Sequence, residues 1–222
     1  FIYDHAYPFI EGRAVVSIEG KGSSVLDRTG RTIVPFKAGR TIFPYSDGLA
    51  QVIENGRVKY IRTDGTQSFE ESFHQYSEIP KETNYFGHFS NGRAIVRLAG
   101  GLLAAIDKSG QVVFRVDEPI HPFSEGYMLS REDGDFVFLD VNGKNTFGRS
   151  FLYAEPFSGG LAFAVERSGQ KVFIDKRGDA AIELKDEQNP VSGFVEGFAV
   201  VKREVNGKQQ VCLMDTRGEV LD

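Results

Sequence analysis

The chain of 222 residues carries 31 acidic and 26 basic side chains, which gives a formal net charge of −5. The two signs alternate without forming blocks, so we expect no nucleic-acid partner. No apolar run approaches the roughly 18 residues that a membrane-spanning helix needs, so we expect no membrane insertion. The only cysteine, Cys212, excludes an intramolecular disulfide. None of these features indicates a cellular compartment.

One motif recurs six times and defines the repeat. It consists of an aromatic residue, a variable residue, a small or acidic residue, a glycine and an apolar run, as in Phe9-Ile10-Glu11-Gly12. The spacings between its glycines are 36, 44, 34, 34 and 37 residues, and these glycines are Gly12, Gly48, Gly92, Gly126, Gly160 and Gly197. A period of this length is typical of proteins in which each repeat forms one supersecondary unit.

A second motif follows each copy of the first and contains an aliphatic residue, usually Asp, two variable residues and Gly. Its first copy is Leu26-Asp27-Arg28-Thr29-Gly30, and in the second repeat the Asp has moved to position 64. An Asp that opens a four-residue turn accepts hydrogen bonds from the backbone downstream, and the closing Gly adopts a positive φ. Each second motif therefore predicts a hairpin turn between two short strands.

Together these elements predict an all-β fold of antiparallel meanders with three strands in each repeat. The predicted units are 9–44, 45–88, 89–122, 123–156, 157–193 and 194–222. We expect residues 1–222 to form a single repeat domain in which residues 1–8 complete the last unit, because the segment before Phe9 resembles the one before Phe157. Neither end is polar enough to cap an open array, which favours a six-bladed β-propeller over the alternative, an open β-solenoid.

The two motifs together resemble the WG repeat family found in bacterial proteins. The shared pattern is aromatic-x-acidic-Gly-x-Ala-x-Val followed by aromatic-Ile-Asp-Lys-x-Gly, and it covers essentially the whole chain. The Trp-Gly pair that names the family is absent from all copies, so the repeats are divergent. The resemblance implies a repeat-built binding or scaffolding module, and it supplies no catalytic residues.

The long second unit contains the sequence that departs most from the repeat. Loops on a rigid scaffold often carry specificity, and aromatic side chains give a large contact area at low entropic cost. The alternative is an elongated hairpin with a small hydrophobic cluster of its own. We expect the binding residues of this unit to be Phe69, Phe73, His74, Tyr76 and Tyr85.

The pattern as a whole favours a non-catalytic binding or scaffold module that presents loops to a protein or peptide partner. The alternative is an enzyme, or a small-ligand or metal site, at the central mouth of a propeller. His5, His88 and His121 are the candidates for such a site, but they lie at different offsets from the aromatic residue of the first motif. No catalytic residue, metal ligand or cofactor is assigned, because no spacing typical of such sites is present.

Overall fold

The computed structural model describes residues 2–74, 87–205 and 207–221. Every regular element in these ranges is a β-strand, which confirms the all-β class and the antiparallel meanders. Across the same ranges, no helix has the length and apolar character needed to cross a membrane. The chain forms two compact units, Phe1–Asp117 and Glu118–Asp222, and each contains three copies of the first motif. We number the repeats 1 to 6 by these copies.

The first compact unit contains two antiparallel sheets. Repeat 1 is a four-stranded sheet with the order β1 (His5–Ala6), β2 (Arg13–Ile18), β3 (Gly22–Asp27) and β4 (Thr32–Lys37). Repeats 2 and 3 share a seven-stranded sheet, in which His74 lies opposite Arg97 at the junction. Its strands are β5 (Arg40–Ile42), β6 (Leu49–Glu54), β7 (Arg57–Arg62), β8 (Phe73–His74), β9 (Ala94–Arg97), β10 (Leu103–Ile106) and β11 (Val112–Val116).

The second compact unit contains one sheet for each repeat. Repeat 4 has three strands, β12 (Glu118–Ser124), β13 (Tyr127–Glu132) and β14 (Asp135–Leu139). Repeat 5 has four, β15 (Tyr153–Ala154), β16 (Ala162–Val165), β17 (Lys171–Ile174) and β18 (Ala180–Glu183). Repeat 6 also has four, β19 (Asn189–Pro190), β20 (Phe198–Val205), β21 (Lys208–Asp215) and β22 (Val220–Leu221).

Repeats 1, 2, 4, 5 and 6 begin one strand earlier than the sequence predicted. β1 pairs with β2, with His5 opposite Ser17 and Ala6 opposite Val16, so residues 1–8 add a strand to repeat 1 instead of completing the last unit. In the same way, β5 pairs with β6 of repeat 2, although it lies within the predicted unit 9–44. The extra strands of repeats 1, 2, 5 and 6 are only two or three residues long, too short to show the alternation that reveals a strand in a sequence, whereas β12 of repeat 4 has seven residues. The single domain and the closure into a ring stay predictions.

The first motif forms a two-residue hairpin turn. In the first copy, Glu11 and Gly12 have φ values of 52° and 77°, and the flanking residues Ile10 and Arg13 exchange backbone hydrogen bonds of 2.9 and 3.0 Å. Two successive positive φ values are the geometry of a type I′ turn, whose twist matches that of the strands it joins. The aromatic residue of the motif, Phe9 in this copy, directly precedes Ile10, which opens the turn.

The second motif forms the turn that the sequence predicted. In its first copy, the Asp27 carboxylate accepts hydrogen bonds from the backbone N–H groups of Thr29 and Arg31, at 2.9 and 3.0 Å. Gly30 closes the turn with a φ of 84°. The acidic residues of these turns are thus structural.

The hydrophobic core lies in layers between neighbouring repeats. In the first compact unit, Val15 and Val25 of repeat 1 share a buried cluster with Tyr45 and Ala50 of repeat 2. In the second, residues of repeat 5 such as Phe173 and Ile182 share a cluster with residues of repeat 6 such as Phe194. Each sheet therefore buries an apolar face only where a neighbouring repeat covers it.

Candidate functional site

One contact recurs between neighbouring repeats within each compact unit. The aromatic residue that opens the first motif, here called the motif aromatic, packs against the preceding repeat. In that preceding repeat it contacts one residue, here called the seat residue. The seat residue lies two positions before the first turn residue of the second motif, as Val25 lies before Asp27. Ring centroids lie 5.0, 5.1 and 4.9 Å apart in the pairs Tyr60–Phe89, Phe138–Phe157 and Phe173–Phe194. Val25 and Tyr45 form the corresponding pair between repeats 1 and 2.

Two kinds of hydrogen bond accompany this packing. A serine after the motif aromatic donates its hydroxyl to the carbonyl of the next motif aromatic, at 2.6 Å in Ser46–Phe89 and 2.7 Å in Ser124–Phe157 and Ser158–Phe194. The acidic residue of the turn accepts from the glycine N–H of the next turn, at 2.9 Å in Glu11–Gly48, 2.7 Å in Asp47–Gly92 and 3.0 Å in Glu125–Gly160. These bonds align each hairpin turn with the next.

Repeat 1 and repeat 6 each expose one half of this contact. The motif aromatics of repeats 2 to 6 are between 1% and 4% exposed, whereas Phe9 of repeat 1 is 52% exposed. The seat residues Val25, Tyr60, Phe138 and Phe173 are at most 1% exposed, whereas Leu213 of repeat 6 is 46% exposed. Phe9 is thus an exposed motif aromatic, and Leu213 is an exposed seat.

Leu213 belongs to an apolar patch on one face of the last sheet. Leu213 lies opposite Leu221 on the neighbouring strand, and Val211 lies two residues before it on the same face. In repeat 5 the residues equivalent to Phe198, Leu213 and Leu221 are Leu161, Phe173 and Ile182, all buried. The patch, here called the sixth-repeat face, comprises Phe198, Val211, Leu213 and Leu221, which are 42%, 66%, 46% and 47% exposed.

Of the residues that the sequence singled out, Phe69 and Phe73 pack inside the fold. Phe73 is buried, and the Phe69 ring centroid lies 5.5 Å from that of Tyr60 and 6.2 Å from that of Phe73. The Phe69 ring also covers Gly110 of repeat 3, where an added Cβ would lie 2.5 Å from it. Both phenylalanines thus belong to the hydrophobic cluster between repeats 2 and 3.

The other three predicted residues fall into two groups. His74 is exposed, and its Nε2 accepts a hydrogen bond of 2.9 Å from the guanidinium of Arg57. Tyr76 and Tyr85 lie outside the described residues. Binding through this segment therefore stays a proposal about His74 and residues 75–86.

The histidines considered for a metal or catalytic site occupy different surroundings. His5 is exposed on β1, and His121 Nδ1 donates to the Pro122 carbonyl at 3.0 Å. His88 Nε2 is buried and has no hydrogen-bond partner among the described residues, and burial lowers the pKa of this imidazole. Over residues 2–74, 87–205 and 207–221, no three His, Cys, Asp or Glu side chains form a group that could hold a metal ion.

Comparisons with protein families bear on the repeat. Residues 1–21 match the family model of the WG containing repeat. This segment includes the first copy of the first motif, so the resemblance to the WG repeat family is confirmed there. No curated protein matches the chain.

Solved structures similar to the chain include several with low sequence identity. BamB from Moraxella catarrhalis is 14% identical with a TM-score of 0.48, over 95% of this chain and 70% of that one. The WD40 domain of SCAP from fission yeast is 10% identical with a TM-score of 0.44, over 95% and 72%. The WD40 β-propeller domain of Doa1 is 12% identical with a TM-score of 0.33, over 98% and 89%. The fold assignment rests on the strand pairings.

The sequence analysis did not identify the sixth-repeat face. Its residues have the composition of an ordinary buried strand, and their positions are also apolar in most other repeats. The sequence pattern therefore does not separate these exposed positions from the buried ones.

Proposed function

We propose that this chain is a non-catalytic protein-interaction module that binds its partner through the sixth-repeat face. The observation that carries the proposal is the exposure of Phe198, Leu213 and Leu221 at positions that are buried in repeat 5. Contiguous exposed apolar side chains on a folded domain are typical of interaction sites. Full burial of one such side chain contributes about 1.5–3 kcal/mol, which must offset the entropic cost of association.

A protein partner suits this surface better than a small ligand. The face is one side of a β-sheet, and equivalent faces elsewhere in the chain are covered by another sheet and by an aromatic side chain. A sheet face that is covered in this way matches a folded protein surface. The geometry supports an interaction module of the kind that the repeat resemblance implies.

Site-specific photo-crosslinking in the producing cell tests this function. A photoreactive phenylalanine analogue at position 213 should form covalent adducts with protein. The same analogue at position 102 should form few adducts, because Leu102 is similarly exposed, at 51%, but lies outside the face. Equal yields from the two positions, or no adducts from position 213, would contradict the proposal.

The same experiment separates the sixth-repeat face from the second repeat. The analogue is also placed at Tyr76, one of the binding residues predicted from the sequence. Adducts from position 76 without adducts from position 213 would move the interaction site to the second repeat.

A further inference from the structure

We propose that Asn55 is a site of spontaneous deamidation, and that Asn91, which lies in the same kind of turn, is protected from this reaction by Asp47. Asparagine is a thermolabile residue, and a glycine after it leaves the backbone nitrogen sterically open because glycine has no Cβ. The sequence contains such Asn-Gly pairs at positions 55–56, 91–92, 142–143 and 206–207. Residue 206 lies outside the described residues, so the comparison concerns the first three pairs.

The reaction closes a ring between the asparagine side chain and the backbone. The backbone nitrogen of the glycine loses its proton and forms a bond to Cγ of the asparagine, and the side-chain nitrogen leaves as ammonia. Water then opens the succinimide at either carbonyl, which gives aspartate or isoaspartate. Water is the only co-reactant, and nothing is oxidised or reduced. The rate therefore depends on how readily the glycine nitrogen gives up its proton and reaches Cγ.

Asn55 and Asn91 have closely similar backbone conformations. Asn55 and Gly56 have φ values of 50° and 70°, and Asn91 and Gly92 have values of 54° and 76°. Each pair forms the centre of a two-residue hairpin turn. Both asparagines are also exposed. Neither backbone conformation nor access to water distinguishes the two positions.

The two glycine N–H groups differ in what they bind. The N–H of Gly92 donates to the carboxylate of Asp47 at 2.7 Å. The N–H of Gly56 has no acceptor within the part of the chain that the structure describes. A hydrogen bond to a charged acceptor is roughly twice as strong as a neutral one, and the negative charge of Asp47 also opposes loss of the proton from Gly92. Both effects slow ring closure at Asn91.

The third pair has a neutral acceptor. The N–H of Gly143 donates to the carbonyl of Asp140 at 3.0 Å, within the turn of the second motif. This bond must break before the nitrogen can attack Cγ of Asn142. We therefore expect Asn142 to react more slowly than Asn55.

Deamidation at Asn55 changes the turn between β6 and β7. Isoaspartate adds one carbon atom to the backbone, so the two-residue turn that joins Glu54 to Arg57 no longer has its length. Either product also adds a negative charge beside Glu54, which forms an ion pair with Lys37. Chains that have aged should therefore carry a mixture of altered turns at this position.

The test is incubation of the purified chain in mildly alkaline buffer, followed by peptide mapping with mass spectrometry. Deamidation replaces the side-chain nitrogen by oxygen, and chromatography separates the aspartate and isoaspartate products. The modified fraction at Asn55 should grow about tenfold faster than that at Asn91, because a hydrogen bond to a charged group protects Asn91 alone. Asn142 should also react more slowly than Asn55. Equal rates at Asn55 and Asn91 in the folded chain would overturn the proposal.

Unfolding provides the control for the flanking sequence. In concentrated urea the three pairs should react at similar rates, because the hydrogen bonds of the folded chain are lost. A preference for Asn55 that persists in urea would come from neighbouring residues in the sequence, and it would overturn the structural explanation.

A substitution at position 47 tests the protection directly. Asp47→Gly removes the acceptor and supplies a residue that readily adopts the positive φ of 54° found there. Asn91 should then deamidate several-fold faster, while Asn55 in the same molecule should keep its rate. An unchanged rate at Asn91 would show that Asp47 does not protect it. The comparison of Asn55 with Asn91 in the unaltered chain does not depend on this variant.

Discussion

At the scale of single residues, the turn glycines of the second motif meet different surroundings. Gly30 and Gly110 close equivalent turns with φ values of 84° and 86°. A Cβ at Gly30 would have no atom of the described residues within 4 Å, whereas a Cβ at Gly110 would lie 2.5 Å from the Phe69 ring. Gly30 is required for its backbone conformation alone, and Gly110 also for the close packing of repeat 2 on repeat 3.

This difference predicts unequal costs for the same substitution. Gly30→Ala should lower the free energy of unfolding by about 1–2 kcal/mol, the cost of a positive φ for a residue with a Cβ. Gly110→Ala should lose about 1–3 kcal/mol more, because the Phe69 ring must shift within the core. Denaturant titration of both variants measures the difference. Equal losses would show that Phe69 moves without cost.

His88 should give the chain a pH-dependent stability. Burial lowers the pKa of His88 from its ordinary value of 6.5, so the unfolded chain binds the proton more readily than the folded chain does. The stability from the neutral imidazole is present above pH 6.5 and is lost as the pH falls through the lower folded pKa. Relative to the unaltered chain, His88→Gln should lose less melting temperature as the pH falls below 6.5. Parallel curves for the two proteins would contradict this role of His88.

At the scale of elements, the hairpin turns are linked by side chains as well as by packing. Ser158 donates to the Phe194 carbonyl at 2.7 Å, and Ser46 makes the same bond to Phe89 at 2.6 Å. These bonds satisfy carbonyl groups that lie where one repeat meets the next. Repeat 6 has Val195 at this position, which cannot donate such a bond.

Removal of one such hydroxyl should lower the free energy of unfolding slightly, and by a similar amount in different repeats. Ser158→Ala should lower the free energy of unfolding by about 1 kcal/mol, because the Phe194 carbonyl loses its donor. Ser46→Ala, in the other compact unit, should show a loss of similar size. Denaturant titration checks both variants, and unchanged stability in both would mean that water replaces the hydroxyl without cost.

At the scale of the whole molecule, equivalent positions differ in what covers them. Phe173 in repeat 5 and Leu213 in repeat 6 are both seat residues, yet the first is fully buried and the second is 46% exposed. The neighbouring repeat makes the difference, since Phe194 packs on Phe173 with ring centroids 4.9 Å apart. The effect of a seat-residue substitution on the free energy of unfolding should therefore depend on whether a neighbouring repeat covers that residue.

A pair of alanine substitutions checks this dependence. Phe173→Ala should lower the free energy of unfolding by about 3–5 kcal/mol, because it leaves a cavity in the core between repeats 5 and 6. Leu213→Ala should change it by less than about 0.5 kcal/mol in dilute protein, where the sixth-repeat face is uncovered. Calorimetric melting compares the two. A large loss for Leu213→Ala in a monomeric sample would show that something in the same chain covers the face.

The sequence predicted the local structure well and the site poorly. Turn geometry depends on a few adjacent residues, so Asp27 to Gly30 and its counterparts specify their hairpins wherever they occur. The two-residue strands such as β1 escaped prediction because they are defined by pairing with a partner. The sequence selected Phe69, which is packed inside the fold, and missed Leu213, which is exposed, because both are hydrophobic residues and the sequence does not show what covers them.

By itself, the sequence determined the all-β class, the repeat, its turns and the resemblance to the WG repeat family. Only the tertiary structure decided which strand completes each sheet and which apolar side chains remain exposed. The physical reason is that burial is a property of two surfaces and not of one residue. Phe69 is packed because repeat 3 lies against it, and Leu213 is exposed because no described residue does.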